Sequence, residues 1–331
     1  TNDLYPEMDT KLGVTGWGVD DGFGYFPGNV YESGVVERHN PIAYYLHEGL
    51  WHGGAISDAL TNLTNAYVYT GEAKYGRTGA ILLDRIADFY PDYDWYMWKD
   101  FRPDGNRGKI LDWTWECNLA QSFANAYDAF FPVYEDPQVI RFLSEKANQY
   151  KMDNPKNSAL LIRRNAEDGI LREIYKACVD ANINGNFGMT HRTLATAAIV
   201  LDSMPETKEW LDWLMRPGQS TQLPVTGGNI IPQLINVIDR DGAGNESAPN
   251  YNNIWLSALL DTAELIHDYG KYSEIDLYKN PKFIKMFSAQ VPIILASYYT
   301  VQIGDSGATA SNDILLNMSR VLTGFKRTGN P

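Results

Sequence analysis

Three features of the sequence predict an all-α fold, specifically an incomplete (α/α) toroid of paired antiparallel helices. Apolar residues recur at three- and four-residue spacing through most of the chain, the strict alternation expected of strands is almost absent, and the helical stretches are joined by loops that are alternately short and long. Helix pairs joined in this way can bury their apolar faces by stacking around a ring. A plain helical solenoid would require a repeat of fixed length, which the sequence lacks.

The elements follow in order. Residues 1–52 mix Gly, Tyr, Pro and Asn with no 3.6 or 2.0 period, and read as an irregular segment packed on a toroid that occupies 53–331. In the first helix Ile56, Leu60, Leu63 and Tyr67 share one face, and Thr70-Gly71 supplies the stop. A second helix at about 72–89 has Ile81, Leu82, Arg85, Ile86 and Phe89 in register. The stretch 91–113 is a long loop carrying Trp95, Trp98, Arg102 and Arg107, and loops of that length inside a compact domain are usually functional. Helical periodicity returns at about 115–131, 137–151, 156–182, 190–203, 206–215, 229–238, 251–269, 279–296 and 312–323. In a ring the loops at one end gather over the central hole, which would unite 16–52, 91–115, 183–192 and 240–252 as a cleft.

Composition narrows the partners. With 331 residues, 44% of them apolar, the chain can bury a large core. Its net charge of −13 excludes nucleic acid, which needs a basic face to displace counterions. It has no apolar run of membrane-spanning length and no signal-like start, so no membrane partner is expected. Cys117 and Cys178 lie in helical patterns without metal-ligand spacing; each reads as a buried free thiol, with a single disulfide left open. Residues 16–24 are Gly-rich but lack lysine and phosphate-loop spacing, and no metal cluster is legible, so neither cofactor nor metal is expected. Nothing specifies an oligomeric state. Aromatic residues reach 13%, with 21 Tyr and 9 Trp, many in polar, Gly-rich company. Exposed rings of that kind suit the flat C–H faces of sugars, although core packing is the commoner use of a tryptophan.

Two turns could carry chemistry. The first, Asn-Ile-Asn-Gly-Asn-Phe-Gly-Met-Thr-His-Arg over 182–192, contains Asn186, His191 and Arg192 and runs directly into an Ala/Leu-rich helix. The second, over 239–252, contains Arg240, Glu246 and Tyr251 and again delivers a helix. His191 and Tyr251 thus fall near helix N-termini, where unpaired N–H groups and the positive dipole end favour negative charge.

In their order and spacing these segments resemble the heparinase II/III-like and alginate-lyase-like group of polysaccharide lyases. The resemblance rests on Asn-Phe-Gly-Met-Thr-His, on Pro-Glu-Thr-Lys-Glu-Trp-Leu from 205, and on Asp-Gly-x-x-x-Glu-Ser-x-x-Tyr ending at Tyr251. Tyr-Thr-Gly-Glu-x-Lys-Tyr at 69–75 and the helix from Glu116 to Asn-Ala-Tyr-Asp add to it, so that it covers most of 53–305. It implies β-elimination on a polymer containing uronic acid, glycosaminoglycan- or alginate-like. The sugar C5 proton becomes removable when the adjacent carboxylate is neutralised, and one tyrosine can take that proton and protonate the leaving oxygen.

On this reading Tyr251 is base and acid, and Asn186 and His191, with Arg192, neutralise the carboxylate. Family members commonly carry Asn beside the histidine, whereas this chain has Thr190. The phenol, ordinarily titrating near ~10, would need a neighbouring cation such as His191, Arg192 or Arg240. Arg38, His39, Asn40, His52, Trp113, Trp115 and Glu246 are further candidates to bind an acidic polysaccharide. Each has a plainer alternative: a core tyrosine, a capping histidine or glutamate, a packed tryptophan.

Two other functions share the fold. A glycoside hydrolase would draw its two carboxylates from Asp20, Asp21, Asp112, Glu116 and Glu246. A glycan-binding domain without turnover would keep only the aromatic cleft. Lyases of the resembled group usually carry a β-sandwich after the toroid, so the stop at Pro331 implies a fragment or a site completed within the ring. A secreted or periplasmic location is expected from the substrate class alone.

Overall fold

The computed structural model describes residues 26–30, 32–34, 36–39, 49–50, 54–93, 108–111, 113–216, 229–246, 248–304, 306 and 314–329, with no side-chain description for the strands within 26–39 or for Trp113. It is mainly helical. The helices are α1 Ala55–Thr70, α2 Ala73–Phe89, α3 Trp113–Phe130, α4 Pro137–Gln149, α5 Ala159–Ala166, α6 Glu173–Val179, α7 Met189–Leu201, α8 Glu206–Met215, α9 Ile230–Asn236, α10 Pro249–Asp268, α11 Pro281–Met286 and α12 Met318–Thr328.

Local chemistry sets most of these boundaries. Gly71, left-handed at φ +67°, closes α1 by donating to Tyr67 O. Asp136 caps α4 and Ser158 caps α5, each accepting a backbone N–H of the first turn, while Pro137 and Pro249 open α4 and α10 where no N–H is needed. Gly188, before α7, has φ +95°, and a Cβ there would also lie 2.9 Å from Ala258 Cβ. Both the turn and the close approach to α10 therefore require glycine.

Contacts along the helices fix their directions. Cys117 meets Thr190, Asn118 meets Arg192 and Gln121 meets Thr196, so α3 and α7 run parallel. Phe187 meets Trp255, Arg192 meets Asp261 and Asp202 meets Tyr269, so α7 and α10 run parallel as well. Tyr67 and Phe130, near the ends of α1 and α3, are in ring contact, placing α1 in the same sense. The returning helices run the other way. Tyr90 at the end of α2 bonds Glu116 at the start of α3, and Tyr127 near the end of α3 bonds Glu167 ahead of α6. Among the returns, α6 and α8 lie side by side, with Arg172 bidentate on Glu206 and Tyr175 stacked on Trp210 at 4.7 Å. The core lies between these two layers. Helix α7 is covered on nearly every side because Thr193, Ala195, Thr196, Ala197 and Ala198 are small enough for α3, α6, α8 and α10 to close on it.

Four sequence expectations are corrected. The segment read as irregular contains an antiparallel pair, β1 Phe26–Val30 with β2 Val36–His39. The helix expected over 156–182 begins at Ala159 and widens to an i→i+5 winding over Glu167–Arg172, where Gly169 sits against the Ala87 carbonyl too closely for a Cβ. The helix expected over 279–296 shrinks to Pro281–Met286, and the chain then forms a short antiparallel pair, β3 Ile294–Leu295 with β4 Tyr299–Thr300. The helix has already ended at Met286 with Phe283, Met286 and Phe287 buried, and Pro292 lies further on, in a 3-10 turn over Val291–Ile293. The last helix starts at Met318, capped by Asn317, rather than at 312. Cys117 and Cys178 are both free and buried. Among the described residues no helix is long and apolar enough to cross a membrane.

Candidate functional site

Because α3, α7 and α10 run parallel, their N-terminal ends share one end of the molecule, and the two chemistry-bearing turns converge there. The turn over 182–188 is drawn tight by its own backbone. Asn182 and Ile183 N–H donate to Ala177 O, Gly185 N–H donates to Thr190 Oγ1 at 2.8 Å, and Met189 N–H donates to Asn186 O. Thr190 is thereby committed to holding the turn and Asn184 is buried, while Asn182 and Asn186 are the half-buried amides of the group. The loop before α3 joins the same end through a bond from Gly108 N–H to Asn182 O.

The second turn folds back on itself, with Asp239 N–H donating to Ala243 O and Asn245 N–H to Val237 O. It is pinned to α10 by Asn252, whose Oδ1 accepts Gly244 N–H at 2.7 Å. A Cβ on Gly244 would stand 2.4 Å from the Trp255 ring, and one on Gly242, at φ +92°, would stand 2.3 Å from Lys285 O. These two glycines let the turn lie flat on its supports. Trp255, fully buried, meets Phe187 edge-on at 5.6 Å, so one ring pair joins the two turns. Tyr251 lies one helical turn before Trp255 and is half-buried.

His191 departs from its expected place. Only 2% exposed, the imidazole is enclosed by the packing of α7 and meets Phe187 edge-on at 5.7 Å. Burial lowers its pKa to about 3, so the ring is neutral near pH 7 and Nδ1 has no hydrogen-bond partner in the protein. It cannot supply the positive charge expected of it beside the phenol or a uronate. The reason is the same small-residue composition that buries the rest of α7. Arg192 bridges α3 and α10, with Nη2 on Asn118 Oδ1 at 2.7 Å and Nη1 on Asp261 at 3.2 Å. Its charge is shared with that carboxylate.

The remaining candidates divide. Trp115, on the first turn of α3, is 48% exposed and can offer a stacking face. Glu246 is half-buried at the end of the second turn. Arg38 and His39 lie on β2 opposite Pro27 and Phe26, with side chains outside the described residues; Trp113 opens α3 under the same limit. Asn40, His52, Trp95, Trp98, Arg102, Arg107, Asp20, Asp21 and Asp112 lie outside the described residues.

Glu116 is unsuited to acid catalysis on a sugar. It is fully buried; Oε2 accepts the N–H groups of Lys109, Ile110 and Leu111, the shortest at 2.6 Å, and Oε1 accepts Tyr90 OH at 2.8 Å. Burial raises its pKa while these donors oppose the rise. Its role is to tie the loop at 108–111 to the start of α3.

Charge separates the two ends of the α3, α7 and α10 layer. Toward the C-terminal halves of α3, α7 and α10 an open hollow of about 510 Å3 is lined by Gln121, Asn125, Thr196, Asp261, Glu264 and Asp268, among others. Helix C-terminal dipoles act against an anion at that end, while its three carboxylates are each paired, Asp261 with Arg192 and Glu264 and Asp268 with Arg327. The N-terminal end is the favourable one. No group of three or more candidate metal-ligating side chains occurs among the described residues. No family model and no curated protein matches this sequence.

Sequence reasoning missed Trp255, Asn252, Gly244 and Thr190, the residues that build the site rather than face a ligand. Trp255 carried one signal, its i+4 spacing from Tyr251.

Proposed function

We propose that this chain is an incomplete (α/α) toroid polysaccharide lyase that cleaves a uronic-acid-containing polymer by β-elimination. The observation that carries the reading is the meeting of the 182–188 and 239–246 turns at the N-terminal ends of parallel α7 and α10, through Phe187 and Trp255, with Asn186 and Tyr251 both partly exposed there. Asn186 and the adjoining helix N-termini bind the uronate carboxylate and stabilise the charge that grows on it as the C5 proton leaves. Tyr251, as the phenolate, accepts that proton and, as the phenol so formed, returns it to the glycosidic oxygen, so that the C4–O bond breaks and a C4–C5 double bond forms. Trp115 stacks on a neighbouring sugar. His191 holds Phe187 in place as a neutral ring, and the carboxylate-neutralising share first assigned to it passes to Asn186 and the backbone. The polymer substrate favours a secreted or periplasmic setting.

Alginate, heparan, chondroitin, hyaluronan and glucuronan, each incubated with the chain and followed by the ultraviolet absorbance of the unsaturated product, test this. At least one gives a rising signal that Tyr251→Phe reduces by about 10²-fold or more, the scale of a lost general acid–base. An unchanged rate in Tyr251→Phe, or no rise with any polymer, overturns it.

A further inference from the structure

We propose that Arg320, on α12, is a positioning residue for Tyr251, acting through Asn253; this rests on the lyase reading above. The first five residues of α10 are held from outside their own helix at four points. Pro249 O accepts Gln290 Nε2 at 2.9 Å, Asn250 N–H donates to Ser306 Oγ at 3.3 Å, and Asn252 Oδ1 accepts Gly244 N–H at 2.7 Å. Arg320 Nη1 donates to both Asn253 O at 3.2 Å and Asn253 Oδ1 at 2.8 Å. Three of these four restraints come from residues 290–320, which follow α10 in the chain, and Gln290 and Ser306 are themselves buried.

Tyr251 lies in the middle of the restrained stretch. A helix start left to itself frays, because its first N–H groups lack intrahelical partners. A phenol that must serve both C5 and the leaving oxygen tolerates little displacement, since about 1 Å of misplacement can cost about 10²-fold in rate. Arg320 is suited to the task because one guanidinium nitrogen reaches a carbonyl and an amide oxygen of the same residue, fixing both the backbone and the side chain of Asn253. The segment after α10 thus sets the geometry of the site without touching substrate.

The test is a double-mutant cycle of Arg320→Met and Asn253→Ala on kcat and KM, with Arg320→Lys as the conservative variant, at a temperature where all remain folded. Expected are a fall in kcat of about tenfold to a hundredfold in Arg320→Met with KM changed less, partial recovery in Arg320→Lys, and a double variant no slower than the worse single. Multiplying effects in the double variant, or a kcat for Arg320→Met within twofold of wild type, overturns the proposal. Should Arg320→Met not fold, Asn253→Ala carries the same kcat expectation and the same refutation. A wild type without turnover on any uronate polymer refutes the lyase reading instead. The clamp is then read from the 19F resonance of Tyr251 in 3-fluorotyrosine-labelled protein, assigned by its loss in Tyr251→Phe: it shifts in Asn253→Ala if the clamp holds the phenol and stays in place if not.

Discussion

Acid should destabilise this protein through His191 in a way that one substitution removes. The imidazole is 2% exposed and its pKa is lowered by burial from 6.5 to about 3. The folded chain therefore resists protonation where the unfolded chain accepts it. Stability from this group is complete above pH 6.5 and is lost progressively as pH falls toward 3, because the unfolded state binds the extra proton. At one pKa unit per 1.36 kcal/mol, the loss on going from pH 7 to pH 5 is about 2 kcal/mol. Asp84 works in the opposite direction, since burial raises its pKa to about 6 against the pull of Lys156, so that its protonation favours the folded chain as pH falls. That contribution is common to wild type and variant and drops out of their difference. Urea unfolding of wild type and His191→Gln, followed by tryptophan fluorescence between pH 7.5 and 5, measures it. The stability difference should move by about 2 kcal/mol in favour of the variant as pH falls. Parallel stability curves would show that the imidazole is accessible to water and would refute its enclosure within α7.

Two further substitutions test the buried charges. Lys156, 2% exposed, bonds Asp84 and Asp88 at 2.6 Å each, so Lys156→Met leaves enclosed Asp84 without a cation and Asp88 with Arg85 at 3.3 Å. A loss of about 3–5 kcal/mol is expected by urea unfolding, shrinking toward pH 5 as Asp84 takes up a proton; a pH-independent loss would contradict this account of the cluster. Glu116→Gln keeps the shape but weakens three backbone bonds and the one from Tyr90, and should cost about 1.5–3 kcal/mol of stability while sparing turnover under conditions where the chain stays folded. Full stability with abolished turnover would instead mark Glu116 as a catalytic acid.

The long helices were legible because their periodicity is long and their stops are chemical. Ile56, Leu60, Leu63 and Tyr67 with Gly71, or Pro249 at the first position of a twenty-residue helix, leave little choice. After α10 the sequence misleads: Phe283, Ile284 and Phe287 continue a helical rhythm, yet the helix stops at Met286 and a 3-10 turn and the β3–β4 pair follow. The two turns of the site could be found from their Gly and Asn content and from the helices they open. What could not be read was depth. Thr190 and His191 are as polar as Asn186, yet the surrounding helices close over both, and only the packing of α7 decides which residue meets solvent. Asn252 and Arg320 were invisible for a different reason, since their partners, Gly244 and Asn253, acquire meaning only once α10, α12 and the second turn are brought together.

The central claim concerns the bond made as the polymer breaks, and the most direct measurement is mass spectrometry of oligosaccharide products formed in 18O-labelled water. β-Elimination predicts a new non-reducing end lacking one water and cleavage that introduces no 18O. Products carrying one 18O per cleavage, with a saturated new end, would mean hydrolysis and would contradict the account.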